Sequence, residues 1–212
     1  MLKPSLSQTF NQLLLLIFTT LYLAGCESVP EESQLNVQFE PHRQRLESIQ
    51  NYQLRGKLGY LSPDQRQSLN FTWNRTPEAS QLRLTSFLGQ TVLNLTITPE
   101  GAKAVTSDGE VYRHPSPNAL VYQLTGLVLP ITYMQDWIKG LPTAADNFTL
   151  NDTNTVATLN KLTGLQRWEM QYLSYQTVSS AEFGAIPLPY KMQLTQSDFT
   201  LKIVISKWTL NG

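Results

Sequence analysis

The sequence predicts a mainly β fold, in which one strongly curved antiparallel sheet is covered by two short helices. After residue 52, apolar and polar residues alternate over many short segments, a pattern typical of strands that bury one face and expose the other. Turn-forming groups such as Ser62-Pro63-Asp64 and Pro99-Glu100-Gly101 separate these segments. A helical stretch between about 116 and 140 interrupts them, and nothing indicates the strand–helix alternation of a parallel sheet.

Composition narrows the function classes. The 212 residues include 16 basic and 16 acidic side chains, so the formal net charge is zero, and only 15% of the residues are charged. Nucleic-acid-binding domains usually carry a basic excess, and none is present here. Apolar residues make up 41% of the chain, which is enough to build a core and argues against a disordered protein. The single cysteine excludes an internal disulfide and a multi-cysteine metal site.

The N-terminal residues 1–25 are predicted to be a lipoprotein signal peptide. An apolar run from Leu13 to Ala24 is about twelve residues long, shorter than the ~20 that a comfortable membrane span needs. The run leads into Leu23-Ala24-Gly25-Cys26, which resembles the lipobox of bacterial lipoproteins, and Cys26 is the only cysteine of the chain. We therefore expect cleavage before Cys26 and a diacylglycerol on its thiol.

Residues 26–37 are predicted to form a lipidated tether, because they are polar, acidic and interrupted by Pro30. As a flexible coil, residues 27–37 would span about 18 Å, and at most ~40 Å when extended. In Gram-negative lipoprotein sorting an aspartate after the cysteine favours retention in the inner membrane. Glu27 stands there instead, so we expect delivery to the outer membrane, with inner-membrane retention as an alternative.

The remaining residues, 38–212, are predicted to form one domain. A first helix is expected near 38–50, with Phe39, Leu46 and Ile49 on one face. Strands follow, among them 79–85 and 91–98. The residues expected to face inwards are Tyr52, Leu54, Gly56, Leu58, Tyr60, Leu69, Phe71, Trp73, Leu82, Leu84, Leu93, Leu95, Ile97, Trp168, Met170, Tyr172, Met192, Leu194, Leu201, Ile203 and Ile205.

Two helices are predicted in the insert. The first begins at Ser116-Pro117, a cap followed by proline at the first helical position, and Gly126 ends it. The second is expected to begin at Thr132, with Gln135 completing a capping box. Its apolar side would consist of Met134, Trp137, Ile138 and Leu141. A sheet covered in this way encloses either a packed core or a ligand cavity, and periodicity alone does not distinguish the two.

The chain lacks the usual signatures of catalysis. Its two histidines, His42 and His114, each lie beside a proline at spacings that suggest neither a triad nor a metal site, so we expect a surface role for both. No phosphate-binding loop is present, and acidic residues are not paired as glycosidase chemistry requires. We predict a protein that is not an enzyme and needs no cofactor.

Two features call for a functional interpretation. The connection Ser86-Phe87-Leu88-Gly89-Gln90 places Phe87 and Leu88 at a hairpin tip, where polar residues are usual. These side chains either fold back into the core or form a protruding apolar finger that touches a membrane or acyl chains. The second feature is the set of large aromatic residues, which serve either as core or as the walls of a greasy cavity. The four tryptophans are Trp73, Trp137, Trp168 and Trp208.

Several of these segments together resemble the LolB family of outer-membrane lipoprotein receptors. They are the lipobox at Cys26, the strand 69–73 (LNFTW), the tip Phe87-Leu88-Gly89, the segment 124–130 (LTGLVLP) and the block 137–142 (WIKGLP). The resemblance extends over nearly the whole chain after the signal peptide. The last two segments are fairly specific in combination, whereas each alone would be weak.

The resemblance implies an unclosed antiparallel β-barrel with an α-helical lid that encloses a hydrophobic cavity, a fold shared with the soluble periplasmic carrier LolA. It implies a monomeric receptor at the periplasmic face of the outer membrane. This receptor accepts lipoprotein cargo from LolA, holds the acyl chains and inserts them into the phospholipid of the inner leaflet. Lipidation at Cys26 favours the receptor over the carrier.

The resemblance also assigns roles to individual residues. Leu88 corresponds by position to an exposed leucine that carries the insertion step, and Phe87 replaces the proline that the family pattern leads us to expect. Trp73, Trp137 and Trp168 would line the cavity or its lid. The alternative left open by the sequence is an outer-membrane lipoprotein with a structural or scaffolding role, whose apolar loop binds a protein partner.

Overall fold

The computed structural model describes residues 32–210, so the predicted signal peptide and Cys26 lie outside the described residues. Within this range the chain forms one eleven-stranded sheet and three helices. The helices are α1 (Phe39–Ser48), α2 (Pro117–Thr125) and α3 (Ile131–Trp137). The strands are β1 (Tyr52–Leu61), β2 (Arg66–Arg75), β3 (Ser80–Thr85), β4 (Thr91–Thr98), β5 (Gly101–Thr106), β6 (Val111–His114), β7 (Asn147–Leu150), β8 (Val156–Thr163), β9 (Gln166–Ser180), β10 (Gly184–Gln196) and β11 (Phe199–Leu210).

The sheet is antiparallel throughout and does not close. Its order is β6-β5-β4-β3-β2-β1-β11-β10-β9-β8-β7, so the first and last strands pair in the middle and β6 and β7 form the two edges. A β-bulge between Arg55 and Gly56 interrupts the β1–β11 register. A Cβ at Gly56 would lie 2.1 Å from the carbonyl oxygen of Val204, so only glycine allows this close approach. Bulges bend and twist a strand, which favours a curved sheet. The predicted fold class is confirmed.

The N-terminal part confirms one expectation and corrects two. Helix α1 matches the segment predicted near 38–50, and Leu46 is buried as expected. His42 is not on the surface, because α1 turns it inwards and leaves it 3% exposed. Part of the predicted tether is held on the domain rather than free. The Ser33 amide donates to the Tyr175 carbonyl (2.8 Å), and the Val37 amide donates to the Thr153 carbonyl (3.1 Å).

In the helical insert, the predicted start and stop of α2 are confirmed, whereas the predicted start of α3 is not. Ser116 caps α2 by accepting a hydrogen bond from the Ala119 amide, and Gly126 ends the helix with φ at 72°. For α3 the predicted capping box at Thr132 is wrong. The helix begins one residue earlier, with Pro130 in the N-cap position and no side-chain cap. Its predicted apolar side is buried as expected and consists of Met134, Trp137, Ile138 and Leu141.

The two halves of the sheet are filled differently. On the side of β8, β9 and β10 the inner face is packed solid with large side chains that include Trp168, Met170, Tyr172 and Tyr175. On the side of β1 to β4 the inner face borders an open cavity beneath the helices. The fold therefore places a cavity with a mainly apolar lining over one half of the sheet.

Candidate functional site

The cavity is apolar and uncharged. It has a volume of about 460 Å³, within the range of ligand-binding sites, and none of its described lining residues carries a charge. Its wall comes from residues of five strands and from the helical insert, which comprises α2, α3 and their connection. The sheet supplies Leu58, Tyr60, Gln67, Leu69, Phe71, Trp73, Leu82, Leu84, Val92, Leu93, Leu95, Phe199, Leu201 and Ile203; the insert supplies Val121, Leu124, Thr125, Leu127, Leu129, Ile131, Met134 and Ile138. Gln65 and Thr106 complete it at the turn ends of β1 and β5.

The alternation of side chains along the strands explains why the cavity wall is apolar. Leu82 and Leu84 point into the cavity while Arg83 between them stays outside, where its guanidinium donates to the Thr91 hydroxyl (2.7 Å). Residues of β2 to β4 and residues of β11 line the same space, so the sheet curves around it. Such a surface offers mainly dispersion contacts, with a few uncharged polar groups such as Gln67 and Thr125. It is therefore suited to a hydrocarbon chain.

Trp73 lies on the cavity wall. Its indole N–H donates to the Ser80 hydroxyl at 2.7 Å, which satisfies the polar end of a buried side chain and fixes the ring. Cross-strand neighbours Leu54 and Leu82 flank it on the same face. The structure thus brings this predicted residue to the cavity, and contact with an acyl chain remains a prediction.

Trp137 and Trp168 lie away from the cavity wall. Both are fully buried, and neither is among the residues that line the cavity. The Trp168 indole N–H donates to the Val128 carbonyl (3.0 Å), and the Trp137 indole N–H donates to the Thr143 carbonyl (2.9 Å). They fill the packed half of the molecule, where Trp168 meets Phe199 edge-on. Trp168 thus joins the α2–α3 connection to β9, and Trp137 fixes the loop that follows α3; neither lines the wall.

Helix α3 is attached to the rest of the fold by several hydrogen bonds. The Tyr52 hydroxyl donates to the Gln135 carbonyl (2.8 Å), and the Tyr172 hydroxyl donates to the Trp137 carbonyl (2.7 Å). Lys139 just beyond the helix is 3% exposed and donates to the carbonyls of Leu46 (3.0 Å) and Ile49 (3.1 Å) at the end of α1. These bonds hold the α3 side of the lid in place.

Burial and charge act in opposite directions on Lys139. Burial lowers the pKa of its ammonium group, while the Asp136 carboxylate, 3.3 Å away, raises that pKa. The two carbonyls that it reaches belong to the last turn of α1, where cations are favourable. Lys139 thus serves as a C-terminal cap that joins α1 to the lid.

The β3–β4 connection protrudes from the sheet as an apolar tip. Phe87 is 85% exposed and Leu88 is 71% exposed, so neither folds back into the core. The base of the tip is ordered by hydrogen bonds from the Ser86 amide to the Gln90 carbonyl (2.8 Å) and from the Gly89 amide to the Ser86 carbonyl (3.0 Å). Gly89 has φ at 82°, which favours glycine at this turn. The site is therefore a hydrogen-bonded hairpin that carries two apolar side chains into solvent.

The described residues contain no arrangement suited to catalysis. Within 32–210 no group of histidine, cysteine and acidic residues could hold a metal ion. Burial lowers the pKa of His42 to about 4, so it is neutral at pH 7, and its Nδ1 has no hydrogen-bond partner. His114 is exposed at the end of β6, as expected, and its Nδ1 accepts a hydrogen bond from the Ser116 amide (2.9 Å). In the same part of the chain, no helix combines the length and apolar character needed to cross a membrane.

Comparison with known proteins identifies the family. The family model described as outer membrane lipoprotein LolB matches residues 50–208. That span begins before β1 and contains the cavity, the lid and the β3–β4 tip. The chain belongs to the LolB family.

Individual relatives agree with this assignment. The outer-membrane lipoprotein LolB of Vibrio parahaemolyticus is 49% identical over 202 residues, which cover 95% of this chain and 98% of that protein. The LolB protein of Vibrio campbellii is 48% identical with the same coverage. Among solved structures, a LolA superfamily protein from Nitrosomonas europaea matches with a TM-score of 0.55 at 8% identity, over 83% of this chain and 94% of that one. This last likeness shows the fold alone.

Family membership settles the general function. The chain is a lipid-anchored lipoprotein of the Gram-negative outer membrane, it belongs to the lipoprotein localisation system, and it is not an enzyme. The relatives' names thus support the outer membrane over inner-membrane retention through Glu27. The resemblance noted in the sequence is confirmed.

Proposed function

We propose that this LolB-family protein receives lipoproteins from the carrier LolA, holds their acyl chains in the cavity and inserts them into the inner leaflet of the outer membrane. Residues 1–25 are removed as a signal peptide, Cys26 is lipidated, and residues 26–37 link it to the lipid-binding domain at 38–212. The monomer is the working unit. The observation that carries this proposal is an uncharged cavity of about 460 Å³ in a chain of this family.

The energetics of an acyl chain require such a cavity. Exposing one ~16-carbon chain to water costs about 13 kcal/mol, at ~0.8 kcal/mol per methylene. A lipoprotein with three chains would cost about three times as much, so free diffusion through the aqueous periplasm is excluded. Cargo therefore passes directly from one apolar cavity to another. A second cavity of comparable or better affinity accepts it without a nucleotide or metal ion.

Delivery requires contact with the bilayer, and the tip formed by Phe87 and Leu88 supports it. Fully burying a side chain of either kind stabilises by about 1.5–3 kcal/mol. Insertion of both would contribute about 3–6 kcal/mol, which orients the domain but does not hold it on the membrane alone. The acyl chains on Cys26 provide the permanent attachment, and the tip provides a reversible contact at the moment of release.

Leu88→Glu tests this proposal by separating acceptance from delivery. The purified variant is loaded with a lipoprotein from LolA and then mixed with phospholipid vesicles. We expect normal acceptance and a large loss of vesicle incorporation, because a carboxylate does not enter the bilayer. Leu173→Glu is the matched control, since Leu173 is also exposed (57%) but lies within β9 and not at a tip. Normal incorporation by Leu88→Glu would contradict the role of the tip.

A further inference from the structure

A second apolar tip lies at the β8–β9 connection. Thr163 pairs with Gln166, so only Gly164 and Leu165 form the turn. Leu165 is fully exposed, and Leu162 at the end of β8 is 51% exposed. The hairpin therefore presents two leucines to solvent within four residues.

The turn itself does not require these leucines. Gly164 has φ at 61° and stands first of the two turn residues, as in a type II′ hairpin. The second position of such a turn usually holds a polar residue such as asparagine or serine. Leu165 touches no core and is not needed for the backbone conformation. Its apolar side chain is thus available to a partner.

This tip lies at the same edge of the sheet as Phe87 and Leu88. Between β3 and β8 the sheet order contains six antiparallel steps, so the two strands run in the same direction. Each tip follows the end of its strand and therefore lies at the same edge. β1 runs in that direction as well, and Gln65 in the turn after it lines the cavity. The cavity thus reaches the edge that carries both tips.

Charge distinguishes these two tips from the other turns at this edge. Five hairpin connections of the described sheet lie there, and three of them contain an aspartate: Asp64, Asp108 and Asp198. The β3–β4 tip contains no acidic residue. Residues 161–167 (KLTGLQR) contain two cations and no acid. Arg167 lies directly across from Leu162 in the register, so an exposed leucine and a cation share one face of the hairpin.

This combination matches a phospholipid surface. Exposed leucines favour the acyl boundary, and neighbouring cations favour anionic headgroups. Asp146 partly neutralises Lys161, at 3.0 Å, and its carboxylate also attracts Arg167, whose side chain remains exposed to solvent. The lipid anchor of the family keeps the domain near such a surface. A protruding two-residue turn also offers no concave face into which a protein segment would fit.

We propose that the β8–β9 tip is a second membrane contact, in which Leu165 and Leu162 enter the headgroup boundary and Arg167 meets anionic headgroups. The inference rests on the proposed function, because it requires this edge of the sheet to face the bilayer. The centres of the two hairpins are six strand spacings apart, about 29 Å measured along the curved sheet. Two contacts at that separation fix the orientation of the cavity relative to the bilayer. The β3–β4 tip alone would let the domain rotate about a single point of contact.

The test uses the full lipidated protein in vesicles of phosphatidylethanolamine and phosphatidylglycerol that contain brominated acyl chains. Single variants Leu165→Trp and Leu88→Trp each add one indole, and Glu78→Trp places it in the β2–β3 turn at the opposite edge. The four native tryptophans are buried and give the same background in every variant. We expect the added fluorescence to be quenched at least twofold at positions 165 and 88, and not at 78.

The outcomes separate the two proposals. Quenching at 88 without quenching at 165 overturns the second contact and leaves the proposed function standing. Quenching at 165 without quenching at 88 supports the second contact and overturns the role of Leu88. No quenching at either position shows that this edge does not meet the bilayer, and both proposals fail.

A substitution that preserves the turn provides the functional readout. Leu165→Asn places a residue favoured at this turn position, so we expect an unchanged urea midpoint. Acceptance of a lipoprotein from LolA should also be unchanged, while incorporation into vesicles slows about tenfold through the loss of one buried leucine. Incorporation at the wild-type rate would overturn the proposal.

Discussion

Filling the cavity should abolish acyl-chain binding without unfolding the protein, and Leu84→Trp is the most direct way to do so. Leu84 is half-buried, lines the cavity and lies beside Phe71 and Leu93 on the same wall. The larger side chain projects into the existing space of about 460 Å³ rather than into packed core. Aromatic residues are also well tolerated in strands. We therefore expect the free energy of unfolding to change by less than about 1 kcal/mol.

The loss of affinity follows from the volume removed. Tryptophan has about six more heavy atoms than leucine, and these displace roughly four to six methylenes of the bound chain. At ~0.8 kcal/mol per methylene the loss is about 3–5 kcal/mol, which is at least a hundredfold in affinity. Acceptance of lipoprotein from LolA should fall in parallel.

The assay is titration with a fluorescent fatty acid, followed by transfer of lipoprotein from LolA. Gln81→Trp is the matched control, because Gln81 is exposed on the outer face of the same strand. This variant should bind as the wild type does. If Leu84→Trp and Gln81→Trp bound the fatty acid equally well, the acyl chain would not occupy the cavity, and the reasoning from its lining would be refuted.

Two further predictions concern stability. Burial lowers the pKa of His42 from 6.5 to about 4. As the pH falls, the histidine of the unfolded chain is therefore protonated before that of the folded protein. Between pH 6.5 and 4 the free energy of unfolding of the wild type should fall by up to about 3 kcal/mol through this group. Urea titrations at several pH values should show that His42→Leu lacks this loss, and parallel curves would contradict it. Lys139→Met should lower the free energy of unfolding by about 1–3 kcal/mol, because the Leu46 and Ile49 carbonyls lose their donor; an unchanged urea midpoint would contradict this role.

Local signals predicted the elements that depend on local chemistry. The Ser116 cap and the Gly126 stop lie within one turn of the helix they delimit, and both are present. The capping box at Thr132 failed because Pro130, with its restricted φ, starts α3 one residue earlier. Thr132 is then inside the first turn and exposed. Competing start signals only two residues apart cannot be ranked from the pattern alone.

Some features depend on tertiary packing and could not be predicted from the sequence. Strand alternation correctly places Trp168 on the inner face, yet it does not say which half of that face is packed and which is open. His42 is polar and follows a proline, so nothing in its neighbourhood signals burial as a neutral side chain. The location of Phe87 and Leu88 at a turn was readable from the sequence. Their exposure depends on the absence of a neighbouring element above the turn.

Leu165 shows what the sequence analysis missed. Gly164-Leu165 between two alternating segments was a recognisable turn signal, and the leucine was out of place in it. Only the strand order shows that this turn shares an edge with the β3–β4 tip. An exposed apolar residue at one turn therefore has to be compared with the other turns at the same edge of the sheet.

The measurement that tests the central claim most directly is photo-crosslinking from the cargo. A lipoprotein that carries a photoreactive acyl chain is transferred from LolA to this protein, irradiated, and the labelled residues are mapped by mass spectrometry. We predict labelling of inward-facing wall residues such as Leu84, Leu95 and Ile203 and none at their outward-facing neighbours Arg83 and Asn94. Labelling confined to exposed residues, with the wall unlabelled, would contradict the claim that this cavity holds the acyl chain.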